Sequence, residues 1–156
     1  GSVRVVNDRG KEKDWEFNKS FDFQSTQEGV YQEVSPVVTS VLDGYNVCIF
    51  AYGQTGSGKT YTMMGPPDNR GVNTRTLEEL FVKSGERSAE VEDKIQVSIL
   101  EIYCEQIRDL LAENVGAQRL EIRQGDKGNY VPNLTWVPVS AIEEVFELLN
   151  LADQNR

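Results

Sequence analysis

Residues 53–60 read GQTGSGKT, a complete Gly-x-x-x-x-Gly-Lys-Thr pattern, and the apolar run NVCIF, residues 46–50, leads into it. The pattern is that of a phosphate-binding loop. Gly53, Gly56 and Gly58 let the backbone take positive φ and curl its N–H groups round an anion with no Cβ in the way, while Gln54, Thr55 and Ser57 fill the turn between them. Lys59 is then expected to reach the β- and γ-phosphates of a bound ATP or ADP. Thr60 is expected to place its hydroxyl on Mg²⁺, and the helix that opens there to turn its positive dipole end to the same phosphates.

A glycine-rich stretch followed by lysine can also arise in any flexible surface turn, so the flanks decide. Val47, Cys48, Ile49 and Phe50 form the near-continuous apolar run of a strand covered on both faces, as in the middle of a parallel sheet. After the loop, Tyr61 to Met64 allow a helix that breaks at Gly65-Pro66-Pro67. Strand, glycine loop and helix in that order are the context a nucleotide cradle requires.

Composition sets wider limits. The chain has 156 residues, 38% hydrophobic and 26% charged, enough for one domain with a core. No apolar run approaches the roughly 18 residues of a membrane span, and no secretory signal is visible, so the expectation is a soluble, intracellular protein. Gly1-Ser2 resembles the remnant of a cleaved tag and is left out of the fold argument. With 25 acidic and 16 basic residues the net charge is −9, which argues against nucleic acid as a partner. Arg119, Arg123 and Lys127 are the nearest thing to a basic cluster, and Glu121 and Asp126 interrupt it. The two cysteines, Cys48 and Cys104, lie in apolar surroundings and read as buried, reduced thiols. There is no histidine, so neither a zinc site nor a Cys/His nucleophile can be assembled.

Val3, Val5, Trp15, Phe17, Phe21 and Phe23 alternate with polar residues, predicting short strands joined by the turn Asn7-Asp8-Arg9-Gly10. Ser25 and Glu28 have capping-box spacing and open a helix with apolar positions from Val30 to Leu42, interrupted at Pro36 and ended by Gly44. A second helix is expected from about Thr76 to Lys83, then a strand through Ile95, Val97 and Ile99 to Tyr103, and a short helix from Gln106 to Leu111. Leu120, Ile122 and Tyr130 to Pro138 suggest a hairpin-like lobe turning at Gly125 and Gly128. Ser140 and Glu143 repeat the capping-box spacing before a last helix through Leu151. Helices and strands alternate, so the class is α/β.

Two longer runs carry a family likeness. NVCIFAYGQTGSGKTYTM, residues 46–63, closely resembles the nucleotide-binding core of kinesin motor domains, and SILEIYCEQIRDLL, residues 98–111, resembles the segment that follows in those motors. GVNTRTLEELF (71–81) and LEIRQGDKGNYVPNLTWVPV (120–139) are most similar to the fourteenth kinesin class, whose members generally walk toward microtubule minus ends. The resemblance implies a P-loop NTPase-type three-layer sandwich with a central, mostly parallel sheet flanked by helices, incomplete at both ends. It assigns residues 3–156 to a partial motor domain. It further implies ATP-Mg²⁺ bound at Gly53 to Thr60, a Tyr61 ring packed against adenine, microtubules as the partner, a location on the cytoskeleton or spindle, and a dimer made by a coiled coil outside this segment. The lobe between Leu120 and Pro138 matches a region through which kinesins touch tubulin.

The departures from the family pattern are as informative. Its Arg-x-Arg-Pro segment beside the adenine is missing, since Val3-Arg4-Val5-Val6 is no substitute. Its Asn-x-x-Ser-Ser-Arg-Ser-His and Asp-Leu-Ala-Gly-x-Glu switches are missing too. Asp68-Asn69-Arg70-Gly71 follows two prolines instead of ending a core strand, and Glu101 matches a structural strand, so neither reads as a metal ligand. The expectation is therefore a nucleotide cradle without the groups that orient water and sense the γ-phosphate, and no residue is assigned a catalytic role. Two readings remain open: part of an ATP-hydrolysing microtubule motor, or a module that binds nucleotide or a partner without turnover.

Overall fold

The computed structural model describes residues 1–116, 119–126 and 128–156. The backbone groups into two compact units, Gly1–Leu80 and Phe81–Arg156.

The first unit opens with a hairpin of β1 (Ser2–Val6) and β2 (Glu12–Glu16), registered from Ser2 opposite Glu16 to Val6 opposite Glu12. Its turn is built by Asn7, whose side-chain oxygen accepts from the N–H groups of Arg9 and Lys11, and by Gly10 at φ +73°. Ser2 is thus the first residue of the strand. Two helices follow, α1 (Gln27–Val34) and α2 (Pro36–Leu42). The break falls at Ser35 because a proline has no N–H to continue the ladder but is well suited to the first helical position. Thr26, one residue after the expected Ser25, caps α1 by accepting from the Gly29 N–H at 3.0 Å. Ser25 instead pairs with Asp22.

The apolar run before the glycine loop departs from expectation. Val47 to Phe50 has no ladder partner among the described residues and is not a strand. Phe50 is 77% exposed and Cys48 is exposed as well. A strand is a pairing and not a property of one segment, so an apolar sequence that could sit inside a sheet becomes one only where neighbours supply hydrogen bonds and cover. After the loop comes α3 (Lys59–Met63), then α4 (Val72–Glu86), which starts four residues before the expected Thr76.

In the second unit β3 (Ile95–Val97) pairs antiparallel with β8 (Val137–Val139). The segment expected as a short helix, Gln106 to Leu111, contains instead a strand: β5 (Gln106–Asp109) forms a hairpin with β4 (Leu100–Tyr103). The turn explains the difference. Tyr103 faces Gln106, and the two residues between them, Cys104 and Glu105, both take positive φ, +48° and +62°. That is the two-residue turn whose twist matches a β-hairpin, here made without the usual Asn-Gly signal. Cys104 at this tip is exposed, contrary to the buried thiol expected. The lobe turning near Gly125 and Gly128 is a hairpin of β6 (Arg123–Gly125) and β7 (Gly128–Tyr130), while Lys127 of the basic cluster lies outside the described residues. Each of the four sheets has two antiparallel strands, so the expected central, mostly parallel sheet is not formed among the described residues.

The turn gives a first testable outcome. An L-residue in the left-handed region costs about 1–2 kcal/mol, and asparagine and glycine relieve part of that while adding freedom to the unfolded chain. The double change Cys104→Asn, Glu105→Gly is expected to stabilise by about 1 kcal/mol, read as a rise of about 2–4 °C in Tm. A lower Tm would show that the two side chains contribute more than the strain costs.

The second unit packs round Leu110, Leu111 and Ala152, with Ile99, Val115, Val137 and Leu148 against them. Ala152 and Leu148 come from α5 (Ile142–Asn155). Glu144, one residue past the expected Glu143, caps α5: its carboxylate accepts from the Ser140 N–H at 2.6 Å and the Ala141 N–H at 3.4 Å. Asp109 is a buried carboxylate that accepts from the N–H groups of Leu111 and Thr135, tying the end of β5 to the segment before β8.

Two carboxylates here are held below their ordinary range, Asp93 by the Arg87 guanidinium that grips it through two nitrogens, and Glu144 by the Ser140 backbone N–H. A folded-state pKa below the unfolded value means stability fully present above the unfolded pKa and lost as pH falls through the lowered one. The urea midpoint is therefore expected to fall as the solution is taken from about pH 5 to below about pH 3, where carboxylates titrate. In the double variant Asp93→Asn, Glu144→Gln the midpoint should be lower at neutral pH and decline less steeply in acid. Parallel curves would exclude these two groups as the cause.

Candidate nucleotide-binding site

The glycine loop closes on itself through its lysine. Lys59 Nζ donates to the backbone carbonyls of Gly53 and Gln54, each at 2.8 Å, so both ends of the motif are drawn round one ammonium group. Gly56 and Gly58 lie at φ +81° and +94°, where an L-residue would be strained. At Gly53 the need is different: an added Cβ would come within 2.4 Å of Ser57 Oγ. Ser57 N–H donates to the Gln54 carbonyl across the turn, whereas the N–H groups of Gly56, Gly58, Lys59 and Thr60 have no acceptor among the described residues. Backbone donors gathered in one exposed turn beside an ammonium group make a setting for an anion.

Every residue expected at the site is therefore brought into one loop and the first turn of α3. Gly53, Gln54, Thr55, Gly56, Ser57 and Gly58 make the exposed loop, Lys59 spans it, and Thr60 and Tyr61 follow on the helix, with Tyr61 59% exposed. No cluster of three or more acidic, cysteine or histidine side chains that could hold a metal occurs among the described residues.

Sequence reasoning missed the residues that hold this helix in place. Gln27, the first residue of α1, is 4% exposed, and its Nε2 donates to the Tyr61 carbonyl at 2.7 Å. One and two turns further along α1, Tyr31 and Ser35 both donate to the Glu79 carboxylate of α4, Ser35 at 2.9 Å to each oxygen. Burial, and then the Glu79 carboxylate, push the Tyr31 phenol well above its ordinary pKa, so it remains a neutral donor. The Gln-x-x-x-Tyr-x-x-x-Ser spacing is visible in the sequence as a polar stripe on one helix face, which alone would read as a solvated surface.

The comparisons with known proteins agree with this geometry. The Kinesin motor domain family matches residues 2–156. Kinesin-like protein KIN-14E of Oryza sativa subsp. japonica is 49% identical over all of this chain and 14% of its own length, and KIN-14R of Arabidopsis thaliana is 47% identical over the same shares. The chain thus spans about a seventh of those relatives, 14%. Among solved structures, a fast kinesin described for its ATPase mechanism and microtubule interactions superposes with a TM-score of 0.88 at 35% identity, over 99% of this chain and 44% of that one. A microtubule complex of a KIF14 dimer with AMP-PNP gives 0.88 at 33% identity, over 99% and 46%. The backbone course is that of the kinesin P-loop NTPase fold, even though the ladders formed within the described residues are antiparallel pairs. With the glycine loop, the fold and the relatives in agreement, the chain belongs to the kinesin motor-domain family and is most similar to its fourteenth class.

Proposed function

We propose that this chain is the nucleotide-gripping part of a microtubule motor that hydrolyses ATP, of the minus-end-directed class, acting on the microtubule cytoskeleton as a dimer. The observation that carries the reading is the loop itself: four backbone N–H groups without an acceptor among the described residues, glycines where a Cβ would clash or strain, and Lys59 across the turn. In this reading the N–H groups of Gly56, Gly58, Lys59 and Thr60 receive phosphate oxygens. Lys59 would exchange its two carbonyl partners for the terminal phosphates, and the Thr60 hydroxyl would be the group that holds Mg²⁺. The exposed Tyr61 ring offers a face to adenine. When bound, Mg²⁺ neutralises charge on the phosphates.

These residues bind and orient the nucleotide. Nothing in them orients an attacking water, so the chain's own part is ground-state grip and placement of the phosphates. Titrating a fluorescent ATP analogue with Mg²⁺, then measuring phosphate release with and without microtubules, tests the reading. Saturable binding is expected. Its absence would overturn the nucleotide reading. Little phosphate release is expected from these residues alone, since they supply no group that orients water, and strong microtubule-stimulated release would show that they do more than grip the nucleotide.

A further inference from the structure

The short helix that carries Lys59, Thr60 and Tyr61 is held at its C-terminal end by a side chain of α1 and by Gly71, the residue before α4, and the first of these is a buried amide that the nucleotide reading leaves unused. A five-residue helix cannot satisfy its last carbonyls internally. Thr60 O accepts from Met64 N–H at 2.8 Å and Gly65 N–H at 3.3 Å, so the Tyr61 carbonyl is left to Gln27 Nε2 at 2.7 Å. The start of α4 closes in from another direction. The Gly71 N–H donates to Met64 O at 2.9 Å, and an added Cβ at Gly71 would come within 2.4 Å of Thr62 O.

Gln27 is placed by α1, and α1 is pinned independently: Thr26 caps its first turn, and Tyr31 and Ser35 fasten its opposite end to Glu79. At about 1.5 Å rise per residue, the Tyr61 peptide is only about 3 Å along the axis from Lys59. A shift at the Tyr61 carbonyl is therefore a shift of the phosphate-facing end. We infer that Gln27 is a positioning residue for the phosphate loop: its amide sets the height of α3, and with it the N–H groups and ammonium that meet the phosphates. It touches no part of the nucleotide and acts through the Tyr61 carbonyl. The inference rests on the nucleotide reading above for its functional consequence, but not for its geometry.

The experiment compares Gln27→Met, which keeps side-chain length and burial without the donor, with Asn155→Leu, which removes the Nδ2 hydrogen bond to the Leu110 carbonyl in the second unit. Three readouts are taken on the whole chain: affinity for Mg·ADP, amide exchange of residues 62–65, whose N–H groups are bonded at this helix end, and Tm. Loss of one hydrogen bond at the helix end should raise the Kd of Gln27→Met about tenfold. Exchange of residues 62–65 should quicken in that variant with little change in exchange across α4. Asn155→Leu should leave the Kd within about twofold even where its Tm falls as far. Equal losses of affinity in the two variants would reduce Gln27 to general support and overturn the inference. So would unchanged exchange at residues 62–65 in Gln27→Met. Should the unmodified chain bind no Mg·ADP, the nucleotide reading fails by itself, and the exchange measurement still decides whether Gln27 holds α3.

Discussion

Replacing Lys59 by alanine is expected to weaken Mg·ADP binding by about 10- to 150-fold, the equivalent of one charge-assisted hydrogen bond of about 1.5–3 kcal/mol. Lys59 is the cation that spans the loop, and its three donors are directed by two carbonyl contacts at 2.8 Å. Alanine removes both the charge aimed at the phosphates and the tie that draws Gly53 and Gln54 inward. These two losses differ in their ligand dependence. Loss of charge weakens ADP far more than adenosine, because only ADP carries the phosphates, whereas a loosened loop weakens any ligand that packs on it. Lys59→Met loses the ammonium and with it both the charge and the tie, keeping only the stem, so a difference between the two variants reports the stem and the separation of charge from tie rests on the ligand comparison. Measured by displacement of a fluorescent nucleotide, the expected pattern is a large loss for ADP in both variants and almost none for adenosine. Equal losses for ADP and adenosine would assign Lys59 to holding the loop together and not to the phosphates.

How much of this could be read beforehand depends on whether the signal was local. The glycine loop was legible because its requirement is stereochemical: Gly56 and Gly58 take positive φ where the pattern places them, and Lys59 closes over the turn. The helix break at Pro36 was legible for the same reason, since a missing N–H acts at its own position. Caps were found one residue out, at Thr26 and Glu144, because Ser25-Thr26 and Glu143-Glu144 offer two adjacent groups and only the backbone angle chooses between them. Pairing was not legible. Val47 to Phe50 has the composition of a buried strand, but composition cannot supply neighbours, and Gln106 to Asp109 became a strand through a turn at Cys104-Glu105 that carries no turn residue. Gln27 was missed for a related reason. Its partner is a carbonyl 34 positions away, and a backbone acceptor leaves no mark in a sequence.

Leu110→Ala is expected to destabilise the second unit by about 2–5 kcal/mol, enough to remove much of the stability of a unit of this size. Leu110 is 0% exposed and is the centre on which Leu111, Ala152, Ile99, Val137 and Leu148 converge. Its backbone is fixed on both sides, with the N–H donating to Ile99 O at 2.9 Å and the carbonyl accepting from Asn155 Nδ2 at 2.8 Å. A residue held in this way cannot move to let its surroundings collapse, so the cavity left by truncation stays largely open and the cost lies toward the upper end. The contrast within the same chain is Val5, on a hairpin whose strands are exposed throughout, where truncation should change stability by no more than about 0.5 kcal/mol. Leu110→Met keeps the volume and should cost less than about 1.5 kcal/mol. Urea unfolding of the three variants orders them, with Leu110→Ala lowest by a wide margin. If Leu110→Ala and Val5→Ala fell together, the stability of the chain would have to reside outside the Leu110 cluster, in the contacts of the first unit. Far-UV loss of α5 with the same midpoint as the whole transition would tie Asn155, and the helix that carries it, to the same cooperative event.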